Sequence, residues 1–99
     1  MSQQSCRVEY TLDARDDLIR PSIFYKDNLA LANQVLFLIA DGVDLLQQHP
    51  LIGRPLSNGL RELVISHGNT GYLARYEYDA LRNLVLVLAI KHQREVDYQ

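Results

Sequence analysis

The sequence predicts an α+β fold: a helical hairpin packed on a mostly antiparallel four-stranded sheet, in the order β-α-α-β-β-β. Three observations lead there. Arg7–Leu12 alternates polar and apolar residues at the start of the chain. Residues 29–48 repeat apolar positions at three-and-four spacing. The second half holds three strand-like runs separated by turns rich in glycine and asparagine. The 99 residues suffice for one core and no second lobe, so one domain is expected over 1–99, with residues 1–6 as a disordered lead.

In the first strand, Val8, Tyr10 and Leu12 share a face, as a half-buried strand requires. Asp13 offers an N-cap oxygen, and Asp16 and Asp17 suit the positive end of the helix dipole. Ala14, Leu18, Pro21 and Tyr25 then line one helical face, with Ile19 and Ile23 beside it. Pro21 removes a helical hydrogen bond and crowds the preceding turn, which predicts a kink or break near Arg20. Asp27 or Asn28 caps a second helix from Leu29 to about Gln48, whose stripe is Ala32, Val35, Leu36, Ile39, Val43 and Leu46. Leu31, Phe37 and Leu38 widen its apolar surface beyond one stripe, which suits either a deep core position or a partner. His49-Pro50 ends this helix, since the residue before proline leaves helical geometry.

Pro50–Pro55 reads as a connecting loop, closed by Ser57-Asn58-Gly59. The mixed order within Leu60–Ser66 leaves the facing of that strand open. His67–Gly71 is a hairpin turn, because glycine and asparagine tolerate positive φ. Tyr72–Tyr78 alternates, with Tyr72, Ala74, Tyr76 and Tyr78 on one face and Leu73, Arg75 and Glu77 on the other. After a turn at Asp79–Asn83, Leu84–Ile90 is apolar on both faces, as in a strand inside a sheet.

Composition narrows the function. With 47% hydrophobic and 22% charged residues, the chain is an ordinary globular protein. Its net charge of −2 argues against a general polyanion binder. Residues 1–49 carry four basic and seven acidic side chains, and residues 50–99 six and five, so the second half is slightly the more positive. The single cysteine, Cys6, forms no internal disulfide and has no motif around it, which reads as an inert thiol. The apolar stretches are read as too short, or too interrupted by Asp41 and Asp44, to cross a bilayer, and a cytoplasmic protein without a membrane partner is expected. No phosphate loop, paired-histidine metal spacing or nucleophile elbow is present, so no cofactor and no metal is expected. His49 and His67 lie at a helix end and in a turn and read as solvated.

One cluster carries chemistry: Lys91-His92-Gln93-Arg94-Glu95-Val96-Asp97-Tyr98, directly after the last strand. If Arg61 and Arg75 point the same way, they meet it. Such a group could cleave RNA, with a base taking the ribose 2′-hydroxyl proton, arginines holding the phosphate and an acid protonating the leaving oxygen. A solvated tail with Tyr98 packed back on the sheet is the alternative.

Several of these segments together resemble RelE/ParE-type toxins of bacterial toxin–antitoxin modules. They are Val8-Glu9-Tyr10 leading to Ala14 and Asp17-Leu18, His49-Pro50, Gly53-Arg54-Pro55, Gly59–Ile65, Gly71-Tyr72 with Arg75-Tyr76, and Ile90–Glu95. The resemblance covers nearly the whole chain in the right order. It implies the β-α-α-β-β-β fold and a cognate antitoxin that wraps the toxin, giving a hetero-oligomer. It also implies one of two targets. RelE-like members are ribosome-dependent mRNA endonucleases, whereas ParE-like members share the fold and poison DNA gyrase, stalling replication.

The acidic balance and the two lysines, Lys26 and Lys91, favour the gyrase branch, since a nuclease of the ribosome binds among RNA phosphates. Basic residues are also absent between the second helix and Gly53, where RelE-like enzymes tend to carry lysines. For a nuclease, the resemblance places catalytic roles on Arg61, Arg75, His92, Arg94 and Tyr98. For a binding toxin, the helical hairpin and the C-terminal segment would contact gyrase, and the antitoxin would cover the surplus apolar helix surface. The residues expected to bind target or antitoxin are Leu31, Phe37, Leu38, His92, Arg94 and Tyr98. In family members the first helix continues past the position of Pro21.

Overall fold

The computed structural model describes residues 5–67 and 70–93, and of residues 21–24, 66, 67 and 70 only the backbone. Strand β1 (Arg7–Tyr10) leads into helices α1 (Leu12–Phe24) and α2 (Leu29–Asp44), and α2 continues as a 3₁₀ turn over Leu45–Gln47. Four further strands follow: β2 (Arg54–Pro55), β3 (Arg61–His67), β4 (Thr70–Asp79) and β5 (Leu84–His92). The sheet order is β1-β5-β4-β3-β2. β1 runs parallel to β5 and the other pairs are antiparallel. The sheet thus has five strands where the sequence predicts four. The addition is β2, read as loop from the sequence because two residues show no periodicity. Pro55 sits there at the sheet edge, where a missing N–H is tolerated.

Thr11, not Asp13, caps α1. Its hydroxyl accepts the Ala14 N–H at 3.1 Å and donates to the Leu88 carbonyl at 3.2 Å. One side chain therefore starts the helix and fastens it to β5. Of the kink or break expected near Arg20, the break is absent: α1 runs unbroken through Pro21. The Asp17–Arg20 pair at 2.5 Å spans the turn just before the proline. Asn28 caps α2, its Oδ1 accepting the Leu31 N–H at 3.1 Å.

Ala32 is buried on the side of α2 that meets α1; α2 lays Val35, Ile39 and Val43 on the sheet, and Leu46 continues the buried row. Facing them are Ile65, Tyr72, Ala74, Tyr76, Val85, Val87 and Ile90. Gly42 permits this approach, because a Cβ there would lie 2.8 Å from Ile65 Cγ1. The 19-residue stretch Leu29–Gln47 has mean hydropathy 1.6 and is long and apolar enough to cross a membrane, contrary to the expectation from Asp41 and Asp44. In the fold its buried row covers the sheet.

The register between β4 and β5 shifts between Arg75 and Tyr76. Arg75 pairs with Ala89 and Tyr76 with Val87, leaving Leu88 as an extra residue. The bulge changes which residues of β5 face the helices. Val85 and Val87 do so before it, and Ile90 and His92 after it, so the helix-covered face takes odd positions first and even positions later. Ser5 and Cys6, assigned to the lead by sequence, belong to the fold: Cys6 is buried, and the Ser5 carbonyl accepts from Asn83 Nδ2 at 3.2 Å.

Candidate functional site

Cross-strand partners share a face of the sheet, and consecutive residues of a strand face opposite ways. Arg61 pairs with Tyr76, and Glu62 with Arg75. Arg61 therefore lies on the face covered by the helices and Arg75 on the far face, so the two do not point the same way. His92 pairs with Tyr72 and meets it edge-to-face at 5.1 Å between ring centroids. It shares the helix face with Arg61, but Tyr72 and Tyr76 separate the two by about 13 Å along β4. The structure does not gather Arg61, Arg75 and His92 at one point. Arg94 and Tyr98 lie outside the described residues.

Each described arginine of that set already has a partner. Arg61 Nη1 donates to the carbonyls of Leu51 and Gly53 at 3.0 and 2.8 Å. Arg75 Nη2 lies 3.7 Å from Glu62 Oε2, and Arg54 donates to Glu62 Oε1 at 2.6 Å. Glu62 is buried between these two cations. Arg54 and Glu62 carry no periodic signal in the sequence, and only the strand register brings them together.

Two further polar residues escape the sequence reading. Asp17 is buried, and its Oδ2 accepts the Ile90 N–H at 2.9 Å. The signal for it is its place between Ala14 and Pro21 on the apolar stripe of α1, an unusual position for an acid. Tyr76 is fully buried; its hydroxyl donates to the Pro50 carbonyl at 2.7 Å and accepts the Gly53 N–H at 2.9 Å. Burial pushes this phenol above its ordinary range, with the Gly53 bond and the Arg61 charge opposing. Gly53 is required here, since a Cβ would fall 2.6 Å from the Tyr76 hydroxyl oxygen. Burial likewise pushes the Cys6 thiol up, opposed by a backbone hydrogen bond.

The apolar surplus of α2 is distributed differently from the expectation. Leu31 and Leu38 are half-buried and pack against the core, while Phe37 is 67% exposed. Leu29 and Leu36 of α2 and Ile19 of α1 are exposed as well. Between the helices lies a cleft of about 380 Å³ lined by Arg15, Leu18, Ile19, Ala32, Asn33 and Leu36. Among the described residues, no three His, Cys, Asp or Glu side chains group to hold a metal ion.

The model of the ParE toxin of the type II toxin–antitoxin system parDE matches residues 8–97. The chain belongs to the ParE toxin family. No curated protein matches it by sequence. Among solved structures, this ParE-family chain is similar to one in the chromosomal ParDE toxin–antitoxin system of P. aeruginosa. That match has a TM-score of 0.74 and 21% identity, and covers 90% of this chain and 97% of the other. It is also similar to a chain in the toxin–antitoxin complex RelBE2 of Mycobacterium tuberculosis, with a TM-score of 0.67 and 24% identity over 93% of this chain and 95% of the other. At these identities the likenesses establish the fold. The ParE-family assignment agrees with the helical hairpin on a mostly antiparallel sheet expected from the sequence.

Proposed function

We propose that this ParE-family chain is a cytoplasmic toxin that inhibits DNA gyrase by binding it, thereby blocking replication, and that a cognate antitoxin neutralises it. The observation that carries the choice of target is the state of the arginines. An RNA-cleaving site turns cations toward phosphate and needs a base and an acid beside them. Here Arg54 and Arg75 flank a buried carboxylate, and Arg61 is engaged with loop carbonyls. A glutamate amid the far-face cations repels a phosphate backbone, and the net charge of −2 adds to that.

The antitoxin reading rests on the family and on the cleft between α1 and α2. Its apolar floor and the exposed Leu29 and Phe37 suit an amphipathic segment that orders on binding. The solved relatives include two toxin–antitoxin assemblies.

The test is induction of the chain in a bacterial host without antitoxin, combined with a supercoiling assay on purified gyrase holoenzyme. The expected result is filamentous cells with a DNA-damage response and blocked supercoiling. Unaffected supercoiling together with cleaved, ribosome-bound mRNA overturns the reading in favour of the nuclease. In that case Arg61, Arg75, His92, Arg94 and Tyr98 become the residues to replace.

A further inference from the structure

Leu73 is buried on the face of the sheet that the two helices leave open. Its neighbours on β4, Tyr72 and Ala74, face the helices, so Leu73 faces away from them. It takes no part in the core that the helices form with the sheet. Its ladder partners are Val64 on β3 and Lys91 on β5. Val64 is 51% exposed, and Arg75, the next far-face residue along β4, is exposed as well, yet Leu73 is only 6% exposed. Side chains stand roughly upright on a sheet, so flanking residues shield the sides of a leucine and not its tip. A cover over Leu73 is required.

The course of the chain points to that cover. The last ladder pair of β5 joins His92 to Tyr72. Gln93 follows, and its side chain reaches over Gly71, where an added Cβ would collide with Gln93 Oε1. Gly71 precedes Leu73 by two residues and so shares the far face, about 7 Å away along β4. The chain thus leaves β5 toward the far face, beside Leu73, with six residues still to come, 94–99. Six residues reach roughly 20 Å when extended and about 9 Å as a helix, and either spans the gap. Val96 and Tyr98 supply apolar surface, and Glu95 and Asp97 flank Val96 as the cations Arg75 and Lys91 flank Leu73. The opposite end of the chain is out of reach. Ser5 is bonded to Asn83, next to the start of β5, and Lys91 lies roughly 23 Å further along that strand. The four residues before Ser5 reach only about 14 Å. Because Leu73 is buried within a single chain, neither a second copy nor a partner is needed to explain it.

We infer that residues 94–99 fold back across the far face of the sheet as a strap, with Val96 and Tyr98 closing over Leu73. The strap sets Arg94 and Tyr98 on the face opposite the α1–α2 cleft. A partner that reads these two residues therefore approaches the open face of the sheet and not the helical hairpin. The placement concerns this chain alone and is tested without reference to its target.

The experiment puts a reporter cysteine into the full-length chain and follows its reaction with a soluble aromatic disulfide under native conditions. Cys6 is buried, and its own slow reaction is measured in the wild type and subtracted. Three variants are compared: Val64→Cys, Leu73→Cys, and Leu73→Cys combined with Val96→Ser and Tyr98→Ser. Leu73→Cys should react about tenfold or more slowly than Val64→Cys, and the combined variant within about threefold of it. Leu73→Cys reacting as fast as Val64→Cys overturns the inference, as does undiminished protection in the combined variant. Thermal unfolding checks each fold. Should Leu73→Cys fold poorly, Tyr98→Trp decides instead, since the chain has no tryptophan of its own. Blue-shifted emission shielded from acrylamide is the expected result, and emission typical of a tryptophan in water with full quenching overturns the strap.

Discussion

The junction of α1 with β5 and the far face of the sheet each hold a buried carboxylate between two cations, yet the two carboxylates do different work. Asp17 lies 2.5 Å from Arg20 and 3.9 Å from Lys91, and its second oxygen takes a backbone N–H of β5, 73 residues away. Glu62 lies 2.6 Å from Arg54 and 3.7 Å from Arg75, on the strands flanking its own. β1 pairs with β5 only as far as Val87. Beyond that point the edge of β5 is taken up first by Thr11 and then by Asp17, so a side chain continues the hydrogen bonding that a strand began. Asp17 therefore stands in for backbone, whereas Glu62 balances charge on a surface already bonded by its strands. A buried ion pair matters most where it also satisfies a group that cannot reach water.

The largest expected effect follows from removing Asp17. Asp17→Ala strands the buried Ile90 N–H and removes the carboxylate that Arg20 and Lys91 both approach. A loss of about 3 kcal/mol is expected, read as a lower urea midpoint with an unchanged m-value. Asp17→Asn separates the two roles, because its amide oxygen can still accept from Ile90 while the charge is gone. It should lose about half as much, roughly 1–2 kcal/mol. An Asn variant as unstable as the Ala variant would show that charge, not the bridging bond, dominates at this junction.

Glu62→Gln should be milder, about 1 kcal/mol or less, since Arg54 and Arg75 are both substantially exposed and can return to water. Its consequence for binding is sharper. With the carboxylate neutralised, the two arginines become available to phosphate, so the variant should be retained longer on a heparin column at low salt. Unchanged retention would mean that Glu62 does not restrain them, and would weaken the argument from the arginines against an RNA-directed site.

The contrast also explains what could be read from the sequence. The order of the four longer strands, both helices and a cap at Asp27 or Asn28 were legible, because periodicity and turn chemistry are local. So was the family, from short segments spread over most of the chain. The two-residue β2 was not, nor was the bulge at Leu88, because both exist only as pairings between distant segments. The facing of Arg61 relative to Arg75 stayed open for the same reason: one residue of register decides which side of the sheet each occupies. Asp17 was visible as an acid and was assigned to the helix dipole, when its place on the apolar stripe pointed to a buried partner. His49-Pro50 and Gly53-Arg54-Pro55 were visible as segments, but their link through Tyr76 and Arg61 appears only when β3 and β4 lie beneath them.

The smallest effect is confined to alkaline pH and concerns the phenols of the helix-covered face, which burial keeps neutral where the carboxylates are paired as ions. Burial pushes Tyr10 and Tyr76 above the ordinary phenol range, and the nearby Asp44 charge pushes Tyr10 further. A raised folded pKa means that the folded state holds its proton after the unfolded chain has released it. Stability is then fully present below the unfolded value of about 10 and declines as pH rises toward the folded value. Urea midpoints should be flat near neutral pH. They should begin to fall above the ordinary thiol range of about 8.5, because the buried Cys6 thiol is pushed up as well. They should fall further above about pH 10, with late-titrating tyrosines in the ultraviolet tyrosinate signal. Tyr10→Phe should change neutral-pH stability by only about 0.5 kcal/mol and remove part of the alkaline decline. A decline of undiminished slope in that variant would assign the tyrosine share of the effect to Tyr76, the phenol that holds the Pro50 carbonyl.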